Sequence, residues 1–212
     1  MQSHSFSDLG LSKPVLDAVA SQGYTKPTEV QSRAIPVLLS GANLLATAQT
    51  GTGKTAAFTL PLLQRLAADR RNGVAPARGN GTGRGPARGP ARPAALILAP
   101  TRELAIQIDS SLEKYGRGSG VSHLAIFGGA PKGRQLQGLR KNPAILAATP
   151  GRLLDFMGER EIDLSAVRYF ILDEADRMLD MGFITDVRRI AKAVTSREQT
   201  SLFSANMHPE IE

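Results

Sequence analysis

Ala48-Gln49-Thr50-Gly51-Thr52-Gly53-Lys54-Thr55 follows a short apolar run and precedes a helical pattern. Gly51 and Gly53 let a backbone turn its N–H groups inward, and a helix starting at Lys54 presents an N-terminus that favours anions. Lys54 is placed to reach terminal phosphates, and the Thr55 hydroxyl to sit on a magnesium ion. The common phosphate-loop pattern opens with glycine; Ala48 stands there instead. A second constellation, Asp173-Glu174-Ala175-Asp176, follows the apolar run "YFIL". An aspartate ending a buried strand beside a phosphate loop suits magnesium, usually through water. Glu174 is then placed to orient or deprotonate an attacking water. An acidic helix start gives the same letters. With the phosphate loop upstream, hydrolysis of a nucleoside triphosphate is the leading reading.

Two further stretches carry basic residues after apolar runs: Pro100-Thr101-Arg102 in "PTRELAIQ" and Thr149-Pro150-Gly151-Arg152 in "TPGRLLD". Hydroxyls, helix N-termini and arginines are standard contacts to a nucleic-acid backbone. Gly128-Gly129 adds a place where a backbone could approach closely. Each stretch alone is read as an ordinary strand-to-helix turn; three of them at strand ends of one sheet point to a nucleic-acid track.

These residues need a scaffold. Apolar runs at 43–48, 94–100, 122–128, 144–150, 168–176 and 200–205 do not alternate with polar residues, as buried parallel strands do not. Amphipathic stretches near 12–21, 28–40, 53–68, 101–115, 131–141 and 183–194 lie between them, with Pro61 expected to kink its helix or cost it a hydrogen bond. The alternation predicts an α/β fold, a parallel sheet with helices on both faces, and ligands at the C-terminal ends of the strands.

The chain has 212 residues, 42% of them apolar, enough for one domain with a real core. Cysteine is absent, and His4, His123 and His208 are far apart, so neither a disulfide nor a His-based metal site is expected. No membrane span and no signal peptide is read, and a cytoplasmic protein is expected. Of the net charge of +7, residues 69–92 supply +5, from six arginines and one aspartate. Their Gly-, Pro-, Ala- and Arg-rich composition reads as a disordered insertion, either a tolerated surface loop or an arm that touches phosphates.

Together the pieces resemble the first RecA-like domain of a DEAD-box RNA helicase, over nearly all of the chain except 69–92. Within that family "LDEADRMLDMGFI" looks most like the bacterial RhlE type. The family's phosphate loop is written A-x-T-G-x-G-K-T, so Ala48 is expected, and its motifs D-E-A-D, P-T-R-E-L-A, the glycine pair and T-P-G-R are all present. The resemblance implies a RecA-like P-loop NTPase domain over 1–212, with ATP and Mg2+ as cofactors and RNA as a partner held by its backbone. It makes residues 1–40 an adenine-reading Q-motif region. In that region Gln31 would hydrogen-bond the adenine edge, Tyr24 would pack on the ring, and Phe6 is the upstream aromatic. It implies a monomer that works with a second RecA-like domain, which supplies arginine fingers and lies outside these residues. Turnover by this chain alone is therefore expected to be weak, without unwinding. The family's S-A-T is Ser204-Ala205-Asn206 here. By resemblance it couples the last aspartate, Asp176, to RNA, and the planar amide of Asn206 is expected to leave ATP binding intact but alter that coupling. A non-catalytic lobe that binds ATP or RNA as a regulator, and a different phosphate-loop enzyme, are the alternatives.

Overall fold

Successive residues in the central strands bury opposite faces. Ala95 and Ile97 join one apolar cluster, while Leu96 and Leu98 join the other. Ile145 and Ala147 divide in the same way from Leu146 and Ala148, as do Tyr169 and Ile171 from Phe170 and Leu172. A period of two with both sides apolar demands a sheet covered on both faces.

The computed structural model describes residues 5–74 and 89–206. Its strands are β1 (Leu44–Thr47), β2 (Ala95–Leu98), β3 (His123–Ile126), β4 (Ile145–Ala148), β5 (Tyr169–Asp173) and β6 (Gln199–Ser204). All pairings are parallel, in the order β1-β6-β5-β2-β4-β3. One face is covered by α1 (Lys13–Ser21), α2 (Glu29–Ser40), α3 (Lys54–Arg71) and α4 (Arg102–Tyr115). The other is covered by α5 (Lys132–Leu139), α6 (Pro150–Gly158), α7 (Ala175–Asp180) and α8 (Ile184–Ala193).

Local chemistry sets where these helices begin. Thr28 caps α2 in a capping box, accepting from the Gln31 N–H while the Gln31 side chain accepts from the Thr28 N–H. Thr101 caps α4 by accepting from the Leu104 N–H. The helix α3 runs unbroken through Pro61, so the expected disturbance is confined to the missing proline N–H.

Three expectations change. Five strands are shorter than their apolar runs, β6 keeps its length but starts one residue earlier, and β5 ends at Asp173, so Glu174–Asp176 leave the sheet and open α7. The helices α6 and α7 lie outside the expected amphipathic stretches: each begins within or directly at the end of an apolar run read as strand, 144–150 and 168–176. The two ends of the 69–92 segment are built into the fold. Asp69–Arg71 belong to α3, and the Asp69 carboxylate meets the Arg168 guanidinium at 2.5 Å. Ala91 is buried, donates to Glu161 and accepts from Asp163 through its backbone. Residues 75–88, as well as His4 and His208, lie outside the described residues.

Candidate functional site

Because every strand points the same way, all six C-terminal ends lie along one edge of the sheet. Reading across it, β1 leads into the phosphate loop, β6 ends at Ser204 and β5 at Asp173. Beyond them, β2 leads to Thr101, β4 to Thr149 and β3 to the Phe127–Gly129 turn. Neighbouring strands stand about 4.8 Å apart, so each half of the edge spans about 10 Å. The candidate phosphate chemistry occupies one half, and the arginine, threonine and glycine stretches occupy the other.

In the first half, the Ala48 N–H donates to the Ser204 carbonyl at 2.9 Å, which fixes the start of the loop to β6. The Thr52 hydroxyl donates back to the Gln49 carbonyl at 2.7 Å. Gly53 has φ +90°, a left-handed conformation that glycine adopts without strain. A Cβ there would also stand 2.4 Å from Gln31 Nε2. The Lys54 side chain is 6% exposed, and its ammonium has no hydrogen-bond partner among the described residues. A buried, unpaired cation is costly, so this one fits a site made for an anion. Thr55 follows it at the start of α3.

Asp173 is 2% exposed. Burial pushes its carboxyl up to about 6, against the pull of the nearby Lys54 ammonium. Its Oδ1 accepts the Glu174 N–H at 3.1 Å. Glu174 holds φ +54° and ψ +53°, a strained conformation for a side-chain-bearing residue, and strain of this kind gathers at functional sites. Its carboxylate meets the Arg177 guanidinium at 3.2 Å. Sequence reasoning did not single out Arg177; its spacing three residues after Glu174 on a helix was the available signal.

Asp176 is joined to the end of β6 by the backbone. Its carboxylate accepts from the N–H groups of Ala205 at 3.1 Å and Asn206 at 2.9 Å, and its own N–H donates to the Ser204 hydroxyl at 3.2 Å. Burial alone would raise this carboxyl; the hydrogen bonds, led by that from Asn206, outweigh it and hold the group below the ordinary aspartate value. The contact runs through the Asn206 main chain and does not use its side-chain amide.

The Q-motif residues diverge. Gln31 lies at the phosphate loop, 4% exposed, with its amide donating to the Gly53 carbonyl at 3.2 Å and accepting from the Thr28 N–H at 3.0 Å. Both ends of the side chain therefore have protein partners. Phe6 is buried in the core beneath α2 and offers little open surface. Tyr24 is 52% exposed, and its hydroxyl is a neighbour of Tyr115, the last residue of α4.

In the other half, the two track arginines converge on one turn. Arg102 donates to the Gly129 carbonyl at 3.4 Å and lies over the Phe127 ring. Arg152 donates to the Ala130 carbonyl at 3.3 Å and approaches Asp155. The turn is itself held by Gln135, whose buried amide accepts from the Phe127 N–H and donates to the Phe127 carbonyl. Local sequence offered no signal for Gln135, because its partner is eight residues away across a turn. A Cβ added at Gly128 or Gly151 would meet nothing within 4 Å. The fold does not need glycine at either position; open backbone there suits the close approach of a ligand. Pro150 is buried behind Gly151 as the first residue of α6.

The family model of the DEAD/DEAH box helicases matches residues 28–212. DEAD-box ATP-dependent RNA helicase 30 of Arabidopsis thaliana is 42% identical over 207 residues, covering 98% of this chain and 32% of that protein. The ATP-dependent RNA helicase DeaD of Escherichia coli is 43% identical over 207 residues, covering 97% of this chain and 30% of that protein. The chain thus spans about a third of the length of these relatives. Among solved structures, a DEAD box protein from the hyperthermophile Methanococcus jannaschii superposes with a TM-score of 0.81 at 38% identity, over 98% of this chain and 51% of that one. A hypothetical ATP-dependent RNA helicase from Sulfolobus tokodaii gives 0.79 at 35% identity, over 95% and 53%.

Proposed function

The chain belongs to the DEAD/DEAH box helicase family, and from that premise we propose that it is the ATP- and RNA-binding lobe of an ATP-dependent RNA helicase. The observation that carries this reading is the single row of strand ends, with a buried unpaired Lys54 in one half and two arginines on a glycine turn in the other. Ala48–Thr55 would hold the phosphates of ATP. Thr55 and Asp173 would share a magnesium ion with those phosphates. Among the described residues no group of three or more His, Asp or Glu is arranged to hold a metal alone. When bound, the cation would neutralise developing charge on the phosphates.

Glu174 would take a proton from the attacking water once Arg177 yields its carboxylate. Gln31 would read adenine by exchanging one of its two protein partners for the base. Phe6 and Tyr24 would line the approach only after local movement, given where they sit. Pro100–Arg102, Gly128–Gly129 and Thr149–Arg152 would follow the RNA backbone, which implies little sequence preference. Asp176 and Ser204–Asn206 would pass the state of one half to the other. The same proposal includes a second RecA-like lobe as partner, action as a monomer, and a cytoplasmic setting. Among the described residues no helix is long and apolar enough to cross a membrane.

The test is steady-state ATP hydrolysis by the 212-residue chain, with and without single-stranded RNA, beside Glu174→Gln and Lys54→Ala. Arginine fingers supply large factors in phosphoryl transfer, so slow turnover is expected, abolished by either substitution. A chain that neither binds ATP nor RNA would overturn the proposal.

A further inference from the structure

At the far end of α3 from the phosphate loop lies a hollow of about 340 Å³. Along that helix the lining runs from Leu63 to Arg71, which places the hollow about 14–26 Å from Lys54. Three segments enclose it: the start of α1, the second half of α3, and the turn after α4. One wall is apolar, made by Val15, Leu63, Ala67 and the edge of Tyr115. The rim carries three arginines, Arg70, Arg71 and Arg117.

The rim charges differ in how they are occupied. Arg70 donates to the Gly120 carbonyl, which fixes one side of the mouth. Arg71 and Arg117 have neither an ion-pair nor a hydrogen-bond partner among the described residues. Arginines at the end of α3 are also what a helix C-terminus favours. That accounts for the sign of Arg70 and Arg71, and Arg117, two positions past the end of α4, stands in the same relation to that helix; the dipoles give neither Arg71 nor Arg117 a partner. Three full positive charges outweigh the partial negative ends of two helices. No carboxylate lines the hollow. Burial and the neighbouring Tyr24 push the Tyr115 phenol up to about 12, so its hydroxyl keeps its proton.

A largely buried apolar floor beneath a rim of guanidinium groups suits a ring carrying phosphate. The volume lies within the range of about 300–1,000 Å³ usual for small-ligand pockets. We infer that this hollow is a second nucleotide-binding site, with the base against Val15, Leu63 and Ala67 and the phosphates on Arg71 and Arg117. The nucleotide comes either free or as one unit of an RNA strand; the chemistry recognised is the same. The inference does not depend on the phosphate loop being an ATP site, since none of its residues belongs to that loop. Occupancy would bridge α1, α3 and α4, two of which begin at the candidate functional edge.

The experiment is ADP binding by equilibrium dialysis to the wild-type chain, Lys54→Ala, Arg71→Glu/Arg117→Glu, and the combined variant. Arg71 and Arg117 are exposed, so their exchange leaves the core untouched, and an unchanged Tm checks this. As a second variant, Ala67→Phe fills the hollow without altering its charge. The expected result is two ADP molecules per wild-type chain and one per Lys54→Ala chain. The remaining site should weaken at least tenfold in the combined variant and in Lys54→Ala/Ala67→Phe. A five-residue oligouridylate that displaces the remaining ADP identifies an RNA strand as the source; failure to displace it identifies the free nucleotide.

No binding by Lys54→Ala up to about 1 mM ADP, or residual binding indifferent to both rim and wall substitutions, overturns the inference while leaving the proposed ATP site standing. Binding to wild type that Lys54→Ala leaves unchanged and the rim substitutions remove would support this site and count against the phosphate-loop reading.

Discussion

The Gln31 side-chain amide donates to the Gly53 carbonyl at 3.2 Å, tying the first turn of α2 to the phosphate loop at the residue that precedes α3. A residue separation of 22 is closed by one side chain that also completes a helix cap. Any change in loop shape is therefore felt at α2, and the reverse.

Gly53→Ala should fail for two separable reasons. Its φ of +90° is strained for alanine, at a cost of about 1–3 kcal/mol. Its Cβ would also meet Gln31 Nε2 at 2.4 Å. Thermal unfolding of Gly53→Ala, Gln31→Ala and the double variant checks this. The double variant should be more stable than the sum of the single effects, because removing Gln31 relieves the clash but not the backbone strain. Strict additivity would show that the contact carries no strain.

Asn206→Thr should change little. Asp176 is held by the backbone N–H groups of Ala205 and Asn206, which survive the exchange. Ser204→Ala should cost about 1–3 kcal/mol, because the buried hydroxyl donates to the Asn206 carbonyl at 2.6 Å and accepts the Asp176 N–H. Urea unfolding midpoints of the two variants make the comparison. A larger loss in Asn206→Thr than in Ser204→Ala would contradict the backbone account.

Stability of the free chain should fall as pH rises from 6 to 8. His123 is held above its ordinary value first by its hydrogen bond to Asp109, at 2.7 Å, with burial opposing and Glu113 assisting. A raised histidine contributes stability that is fully present below the unfolded value of about 6.5 and is lost as pH climbs through the folded one. Asp173 acts with the same sign but mainly below this range, between its ordinary value of 3.8 and the value of about 6 to which burial lifts it. Melting curves across this range are the check, and His123→Gln should flatten part of the slope. A Tm that holds or rises from pH 6 to 8 would refute this account.

Asp69→Ala should destabilise by about 1–3 kcal/mol. It strips a carboxylate at 2.5 Å from Arg168, a guanidinium only 18% exposed whose other carboxylate partner, Glu198, is 3.9 Å away. An Asp69→Asn variant keeps a hydrogen-bond acceptor and should recover part of the loss. An effect within experimental error would return Asp69 to the solvated segment that composition alone assigned it to.

Local composition determined what depends on near neighbours in the chain. Ala95–Leu98 and Ile145–Ala148 announce buried parallel strands because strands covered on both faces favour an unbroken apolar run. Gly51, Gly53, Lys54 and Thr55 announce a phosphate loop because backbone turning, charge and a hydroxyl must follow within a few residues. The tertiary structure alone decided which strand ends are adjacent. The order β1-β6-β5-β2-β4-β3 pairs Thr47 with Ser204 across 157 positions, and no local pattern encodes such a separation. It also decided that Gln31 meets Gly53, that Asp176 rests on the Asn206 main chain, and that Asp69 pairs with Arg168 across 99 positions. The physical reason is the same in each case. Helix starts and glycine turns are set by a few neighbouring residues, whereas a hydrogen bond between distant segments exists only once the sheet has brought them together.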